Sequence, residues 1–360
     1  MQITKLNLKN FRCFSDLTLT FSARIVLIEG KNGTGKTSVL EALHYLCYLR
    51  SFRTYSPQEL MHFGNENFFI KAEFTGTAVD QTTFSHVQVG FSDKRRLVKV
   101  DQKVVSSYKE LMDHYRIITL TEDDLGLIKE GPDVRRAFID QAVMLYEADF
   151  ITLIKSFKGV VDNRNALLKK GTITADSYAL WTEQLWELSF AIENRRRAAL
   201  ASIEQEVTSI IKEYFESSYS IKFIYKPKKK LLDSFKEFEK SNPYLMEEEK
   251  RFCRSLVGVH LDDFAIQFED KKSKNFASRG QQKLIVLLVK IAQIRTLATK
   301  RGPVVFLLDD FMTDFDQERV DKLLPVLMGL GSQLIFTSPI EQGYLEQQLC
   351  AYGAEKCFLA

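Results

Sequence analysis

One stretch decides the fold of this chain: Gly30-Lys31-Asn32-Gly33-Thr34-Gly35-Lys36-Thr37. It matches the phosphate-loop pattern G-x-x-x-x-G-K-S/T without a gap. Residues 24–28 before it form a short apolar run that predicts a buried strand, and residues 38–46 after it carry apolar side chains at helical spacing. A strand, a glycine loop and a helix in this order predict a nucleotide-binding α/β fold.

The phosphate loop predicts ATP and Mg²⁺ as the bound molecules. Its glycines let backbone amides approach phosphate oxygens, and the helix that follows adds the positive end of its dipole. We expect Lys36 to bridge the β- and γ-phosphates as a catalytic residue, and Thr37 to ligate the metal. The predicted nucleotide contacts are the loop and the residue after it: Gly30, Lys31, Asn32, Gly33, Thr34, Gly35, Lys36, Thr37 and Ser38.

A second part of the same site is predicted near the C-terminus. Residues 304–308 are a continuous apolar run, typical of a parallel strand that is buried on both faces, and Asp309 and Asp310 follow it. We expect Asp309 to hold Mg²⁺ and Asp310 to orient or deprotonate the attacking water. The alternative is an ordinary exit from a strand, because Asp favours turns.

One more apolar run, residues 334–336, leads to two hydroxyl side chains, Thr337 and Ser338. We expect one of them to contact the γ-phosphate or the attacking water. The alternative is that the hydroxyl caps a turn at the end of the strand.

A Ser and a Gly at the start of another helix predict a second anion-binding site. Ser278-Arg279-Gly280-Gln281 precedes the apolar residues 284–292. Such a helix start attracts anions, but it cannot easily reach a nucleotide that is held by residues 30–37 of its own chain. We therefore expect an ATP-dependent homodimer in which this segment closes on the partner's nucleotide; the alternative is a plain helix cap. The contacts assigned to the segment are Ser278, Gly280 and Gln281.

These motifs resemble a known family. The opening Asn10-Phe11-Arg12-Cys13-Phe14, together with the phosphate loop and Leu40-Glu41-Ala42-Leu43, resembles the SMC/Rad50/RecF group of ABC-type ATPases. Other segments resemble the RecF family in particular, over essentially the whole chain and in the right order. They are residues 51–54, 124–125, 131–140, 163–168, 258–263 and 276–283.

The chain departs from the family pattern at several positions. RecF-like sequences usually have Pro and Arg where Val259 and Leu261 stand, a Gln or similar residue in place of Arg279, and Arg in place of Lys283. Residues 311–316 replace a more usual Ser-Glu-Leu-Asp ending. Many related ATPases carry Glu where Asp310 stands, so the shorter Asp suggests slow hydrolysis.

The resemblance implies an ABC-type P-loop ATPase head of the α/β class, split by an inserted helical arm and accompanied by an antiparallel β subdomain. It also implies that Arg12 contacts the nucleotide. RecF-like proteins bind ATP, dimerise around it and engage duplex DNA, particularly gaps and junctions between single and double strands. They act with RecO and RecR to help load RecA, and their ATPase is slow and stimulated by DNA.

We predict three segments along the chain. Residues 1–133 form the N-terminal part of the head, with an antiparallel sheet over residues 68–105. Residues 134–218 form the helical arm, which lacks a sustained heptad repeat and so is no long coiled coil. Residues 219–360 form the C-terminal part of the head.

Composition narrows the class of protein further. The chain has 360 residues, 45% of them hydrophobic, and a net charge of only +3, so a DNA-binding surface must be local. No stretch is long and apolar enough to span a membrane and no signal peptide is evident, so we expect a cytoplasmic protein. Its five scattered cysteines favour reduced thiols. The candidate phosphate-contacting clusters are residues 95–96, 135–136, 169–170, 195–197, 226–230 and 271–274.

Other classes of protein share parts of this pattern. A GTPase switch would need an N-K-x-D guanine-recognition motif, which the sequence lacks. The ATPase subunit of a transporter would need a surface that docks on membrane helices, and an ATPase partner of a nuclease would need a long coiled coil. The remaining alternative is the ATPase subunit of another ABC-type or SMC-like complex.

Overall fold

The computed structural model of this chain describes residues 1–76, 85–105, 110–111, 115–215, 219–340 and 343–359. Two compact units are formed. The first unit contains Met1–Leu125, Ser209–Ser218 and Ser278–Ala360, and the second unit contains Gly126–Thr208 and Tyr219–Ala277. In the part of the chain that is described, no helix is both long and apolar enough to cross a membrane.

The described residues form strands and helices that are distributed along the chain, with several of the same kind in succession. The strands are β1 (Gln2–Phe11), β2 (Phe14–Thr20), β3 (Ile25–Gly30), β4 (Asn67–Thr75), β5 (Ser85–Ser92), β6 (Arg95–Val100), β7 (Lys103–Val104), β8 (Ile117–Leu120), β9 (Ile221–Lys226), β10 (Asp263–Phe268), β11 (Lys271–Lys272), β12 (Val305–Leu308), β13 (Gln333–Pro339) and β14 (Glu355–Leu359). The helices are α1 (Lys36–Tyr48), α2 (Gly126–Lys129), α3 (Pro132–Tyr146), α4 (Phe150–Lys170), α5 (Ala175–Tyr214), α6 (Phe235–Ser241), α7 (Leu245–Phe252), α8 (Ser273–Phe276), α9 (Arg279–Arg301), α10 (Gln317–Met328) and α11 (Gly343–Ala351).

A parallel sheet forms the core of the first unit, with strand order β14-β3-β13-β12-β8. Strands β3, β8 and β12 are buried along their whole length, which explains why their sequences are continuous apolar runs. The register pairs Gly30 with Pro339 and Leu308 with Phe336. The carboxyl ends of three neighbouring strands therefore meet at one edge of the sheet, where ligands of such folds bind.

An antiparallel sheet accompanies the parallel one in the first unit, with strand order β2-β1-β4-β5-β6-β7. Strands β4 and β5 alternate between buried and more exposed residues, as expected for a sheet with one face in the core. The predicted antiparallel sheet over residues 68–105 is thus present. It also includes β1 and β2, which place the turn at residues 12–13 beside the phosphate loop.

The second unit combines the long helices α3, α4 and α5 with a small sheet of order β11-β10-β9. A fully buried ion pair between Arg164 of α4 and Glu249 of α7, with a nitrogen–oxygen distance of 2.6 Å, ties two of its helices together. His260 is half-buried, and desolvation lowers its pKa to about 4. A neutral histidine of this kind fits a structural role.

The two units divide the chain differently from the predicted segments. Residues 219–277, which we predicted to begin the C-terminal part of the head, group with the helical residues 126–208. The physical reason is a non-local pairing: β9 pairs with β10 along its length, and Arg135 of α3 binds Asp263 of β10 at 2.6 Å. The last segment of the first unit therefore begins at Ser278, directly before α9, and Ser209–Ser218, which we predicted to end the arm, also belongs to the first unit.

Candidate nucleotide-binding site

The phosphate loop joins the end of β3 to the start of α1, and its glycines are required by close packing. Gly35 has φ = +96°, and a Cβ on it would lie 2.4 Å from the Cys13 sulfur. A Cβ on Gly30 would lie 2.8 Å from the carbonyl oxygen of Leu359. The loop is therefore enclosed by the turn after β1 on one side and by β14 on the other, and only glycine fits at both positions.

Lys36 is already folded over the loop. Its ammonium group donates hydrogen bonds to the carbonyl oxygens of Gly30 at 2.8 Å and Lys31 at 3.0 Å, and the residue is buried. These carbonyls satisfy a charge that would otherwise be enclosed without a partner. The ammonium group is thus held inside the loop, where phosphate oxygens would replace the carbonyls.

The predicted metal ligands meet across the sheet edge. Thr37, in the first turn of α1, donates its hydroxyl to the Asp309 carboxylate, with oxygen–oxygen distances of 2.9 and 3.1 Å. Asp309 directly follows β12 and continues the sheet through a bond from its amide to the Leu120 carbonyl at 2.9 Å. Burial raises the pKa of Asp309 from its ordinary value. The two halves of the predicted site therefore form one cluster.

This cluster fits Mg²⁺. A hydroxyl and a carboxylate are the hard oxygen donors that this ion prefers, and a cation would offset the desolvation of Asp309. Among the described residues, no group of three or more His, Cys, Asp and Glu side chains could hold a metal by itself. Thr37 and Asp309 would therefore hold the ion together with nucleotide oxygens and water, as is usual for Mg²⁺ at phosphate sites.

Asp310 is exposed, and its backbone is held in an unusual conformation. Its φ is +43°, in the left-handed region that non-glycine residues rarely adopt. Its amide donates to the Thr337 hydroxyl at 3.0 Å, and its carbonyl accepts from the Lys283 ammonium at 3.1 Å. Both backbone groups of this predicted catalytic residue are therefore anchored by side chains of other elements.

A cavity of about 300 Å³ opens beside these residues. We call it the Asp309 cavity. Residues from several segments of the first unit line it. They include Thr37, Arg53, Glu122, Lys283, Asp309, Asp310 and Asp314. The cavity thus brings Thr37 and both predicted carboxylates to one solvent-accessible space.

Lys283 is a site residue that our sequence reasoning noted only as a departure from the family pattern. Its ammonium donates to the carbonyl oxygens of Asp310 and Thr313 and lies 5.3 Å from the centre of the Phe315 ring. Burial lowers its pKa. Lys283 therefore pins the turn that follows Asp309. The signal in the sequence was a cation directly before the apolar run of residues 284–289.

Arg12 lies beside the loop, but its guanidinium is engaged within the chain. It makes a two-pronged ion pair with the buried Glu41 of α1, at 2.6 and 2.8 Å. The same carboxylate accepts a hydrogen bond from Ser51 and lies 3.7 Å from Arg53. Arg12 thus anchors the β1–β2 turn to α1, and its predicted contact with the nucleotide stays a prediction.

The Ser278–Gln281 segment forms the start of α9. Ser278 caps the helix by accepting from the Gln281 amide at 3.3 Å, and the Gln281 side chain accepts from the Ser278 amide at 2.8 Å. A Cβ on Gly280 would lie 3.0 Å from both the Asp314 carbonyl and an Arg319 nitrogen. The plain helix cap is therefore present, and Ser278 remains exposed at the helix end.

The chain is similar to a known protein family over almost its whole length. The profile described as "RecF/RecN/SMC N terminal domain" matches residues 2–355. The chain belongs to this family. The predicted fold class, an ABC-type ATPase head, is confirmed, and within the family the predicted relationship to RecF is confirmed as well.

Curated relatives named RecF align with this chain over more than nine-tenths of their length. The chain is 28% identical over 345 residues to the "DNA replication and repair protein RecF" of Leptospira interrogans, covering 95% of this chain and 93% of the relative. It is also 28% identical over 348 residues to the RecF protein of Desulfitobacterium hafniense, covering 95% and 94%. Both alignments extend across the two units.

Solved structures show the same fold. A chain described as the recombination mediator protein RecF-ATP in the RecFOR pathway superposes with a TM-score of 0.82 at 24% identity, covering 94% of this chain and 93% of that one. A RecF-ATPrS structure gives 0.81 at 25% identity with the same coverage. The Smc head domain of Pyrococcus furiosus is more distant, with a TM-score of 0.54 at 15% identity.

The anchoring role of Lys283 predicts the outcome of its removal. Lys283→Met keeps most of the side-chain volume but removes the ammonium donor shared by the Asp310 and Thr313 carbonyls, and only the Asp310 carbonyl keeps a second donor, the Thr313 amide. We therefore expect a loss of about 1–3 kcal/mol in the free energy of unfolding. Lys283→Arg is the matched control, because it restores donors at the position. Denaturant titration of the three proteins measures the difference, and a Lys283→Met protein as stable as the parent would contradict the assigned contacts.

Proposed function

We propose that this protein is an ATP-dependent DNA-binding protein of recombinational repair and replication-gap repair, acting in the manner of RecF. The observation that carries the proposal is the contact of Thr37 with Asp309, directly beside the phosphate loop of residues 30–37. Its support comes from the family, whose curated members are DNA replication and repair proteins, and from the solved RecF-ATP and RecF-ATPrS chains of the same fold.

ATP binding is assigned to the phosphate loop. Lys36 moves from the loop carbonyls to the β- and γ-phosphates, and the amides of residues 33–37 surround the phosphate oxygens at the start of α1. Bound Mg²⁺ supplies charge neutralisation at the developing negative oxygens. Thr37 and Asp309 are the protein groups that hold it.

Hydrolysis is assigned to Asp310, which lies at the mouth of the Asp309 cavity. The carboxylate orients the attacking water and accepts its proton. Asp is one methylene shorter than Glu, so the water is held less closely to the carboxylate and turnover is slow. The protein is therefore a weak ATPase of the ABC type, stimulated when DNA stabilises the state that can hydrolyse ATP.

Completion of the site requires a second copy of the chain. At the exposed N-terminus of α9, Ser278 caps the Gln281 amide, and the amides of residues 279 and 280 precede the first hydrogen bond within the helix. Ser278, Gly280 and Gln281 of one protomer close on the γ-phosphate that the partner's loop holds. ATP thus joins two heads, and its hydrolysis releases them.

DNA binding is proposed from the same family relationship. The ion pairs show which of the predicted basic residues are already bound to carboxylates of the chain. Arg135, Arg196 and Arg197 bind Asp263, Asp140 and Glu193 within the second unit, so these cations are structural. In the predicted cluster at residues 95–96, Arg96 donates to the Leu49 carbonyl, whereas Arg95 is exposed. Arg95 and the exposed pair Lys169-Lys170 are therefore better placed to meet phosphates. The proposed ligand is gapped duplex DNA or a single-strand/double-strand junction, the proposed partners are RecO and RecR, and the proposed place of action is the cytoplasm.

Substitution of the loop lysine tests nucleotide binding. Lys36→Arg replaces a compact ammonium by a planar group that does not fit the same carbonyl cage, so we expect kcat/KM for ATP to fall about tenfold or more. Lys322→Arg is the control, since Lys322 is a surface lysine of α10 that pairs with Glu318 and has no part in the site. Equal ATP hydrolysis by the Lys36→Arg variant and the parent would count against the site.

A bulky cation at the end of α9 tests the shared site. Ser278→Arg should leave ATP binding to the monomer intact, because Ser278 is remote from the chain's own loop in the proposed arrangement, yet it should block ATP-dependent dimers. Light scattering with and without ATP and Mg²⁺ measures dimer formation, and Ser278→Thr serves as the control that keeps the cap. ATP-dependent dimers of the Ser278→Arg variant would refute the shared site.

Salt dependence tests the DNA contact. If lysine and arginine side chains neutralise phosphates, log Kd rises linearly with log salt, and affinity falls by orders of magnitude between roughly 50 and 200 mM salt when about six or more phosphates are contacted. Replacing Lys169 and Lys170 by Gln should reduce that slope, whereas Lys322→Gln, which removes a cation paired with Glu318, should not. A flat salt dependence of the parent would exclude phosphate contact as the main source of affinity.

A further inference from the structure

Thr337 occupies a position that the sequence alone did not explain. It lies on β13, which runs between β3 and β12 in the parallel sheet, and its side chain is fully buried. The sequence predicted that Thr337 or Ser338 contacts the γ-phosphate or the attacking water. In the structure, Ser338 donates its hydroxyl to the Pro339 carbonyl at 3.2 Å, whereas the Thr337 side chain contacts Asp309 at the end of β12.

The Thr337 hydroxyl donates one hydrogen bond and accepts one. It donates its proton to Asp309 Oδ1 at 2.7 Å and accepts the Asp310 amide at 3.0 Å. A hydroxyl has a single proton to give, so the one on Thr337 is committed to the Asp309 carboxylate. A γ-phosphate or a water molecule could receive it only if the Asp309 bond were broken first.

We propose that Thr337 is a positioning residue that fixes the Asp309 side chain and the Asp310 backbone together, without contacting the nucleotide. The inference rests on the proposed function, which assigns metal binding to Asp309 and water activation to Asp310. One buried hydroxyl then sets the relative position of the two carboxylates on which hydrolysis depends.

The second partner of Asp309 shows why this bond matters. In this structure Thr37 also donates to Asp309, at 2.9 Å. The proposed function assigns the Thr37 hydroxyl to Mg²⁺, so that donation would be given up when the site is loaded. The bond from Thr337 approaches from β13 and does not compete with this role, and it therefore keeps Asp309 in one orientation in both states.

The Asp310 backbone needs the same support. Its φ of +43° is rarely adopted by a residue with a Cβ, so the conformation persists only if neighbouring groups hold it. The Thr337 hydroxyl binds its amide, while Lys283 and the Thr313 amide bind its carbonyl, both at 3.1 Å. Loss of the hydroxyl would release the amide side of this anchor.

Two substitutions separate positioning from other roles. Thr337→Val has the same branched shape without the hydroxyl, and Thr337→Ser keeps the hydroxyl without the methyl group. We first measure hydrogen–deuterium exchange of the nucleotide-free proteins. The Asp310 amide should exchange about tenfold faster or more in Thr337→Val, because its acceptor is gone, and should stay protected in Thr337→Ser.

The second measurement uses nucleotide and metal. ATP affinity in EDTA should be the same for Thr337→Val and the parent, while the Mg²⁺ concentration for half-maximal hydrolysis should rise and kcat should fall, each by about tenfold. Thr337→Ser should restore both values. If Thr337→Val does not fold, Thr337→Ala is measured against Thr337→Ser by the same two methods.

The outcomes are distinguishable from failure of the proposed function. If the parent binds no ATP, the proposed function fails, and the exchange measurement alone decides the inference. Unchanged Asp310 exchange in the variant without a hydroxyl overturns the inference. A weaker ATP affinity in EDTA with an unchanged Mg²⁺ requirement also overturns it, since that result would indicate direct contact with the nucleotide.

Discussion

The contact between Thr37 and Asp309 is the interaction on which the rest of the site depends. The two residues are 272 positions apart in the sequence, and their oxygens are 2.9 Å apart in the structure. The contact forms only because β3 and β12 flank the same strand, β13, so that their carboxyl ends lie at one edge of the sheet. The phosphate loop alone could hold phosphates, and this contact adds two oxygen-bearing side chains that could hold a metal ion.

Around that contact, the protein fixes the segment after β12 by hydrogen bonds to its backbone. Lys283 holds the Asp310 and Thr313 carbonyls, and Thr337 holds the Asp310 amide. Backbone anchors leave the Asp310 carboxylate itself available at the cavity. Anchors of this kind restrict the backbone after β12, which lowers the conformational entropy that binding of a ligand would have to overcome.

The sequence predicted the parts of this arrangement that are encoded locally. Gly30 to Thr37 is a contiguous motif with a strand and a helix beside it, and Asp309 follows a continuous apolar run, so both could be proposed as site residues without a structure. The partner of Thr337 could not be assigned, because it depends on the register between β12 and β13. The same limit explains the segment boundary: pairing of β9 with β10, which joins Tyr225 to Phe264, leaves no mark on either strand alone.

Charge at the Asp309 cavity indicates how a nucleotide would be received. The cavity is lined by five carboxylates, of which Glu122 and Asp314 also pair with Arg279, and by two cations, Arg53 and Lys283. Such a surplus of negative charge repels a triphosphate that arrives without a metal. It attracts a divalent cation and leaves the phosphates to the loop and to Lys36. The division of the site into a cationic loop and an anionic cavity therefore favours entry of the nucleotide as its magnesium complex.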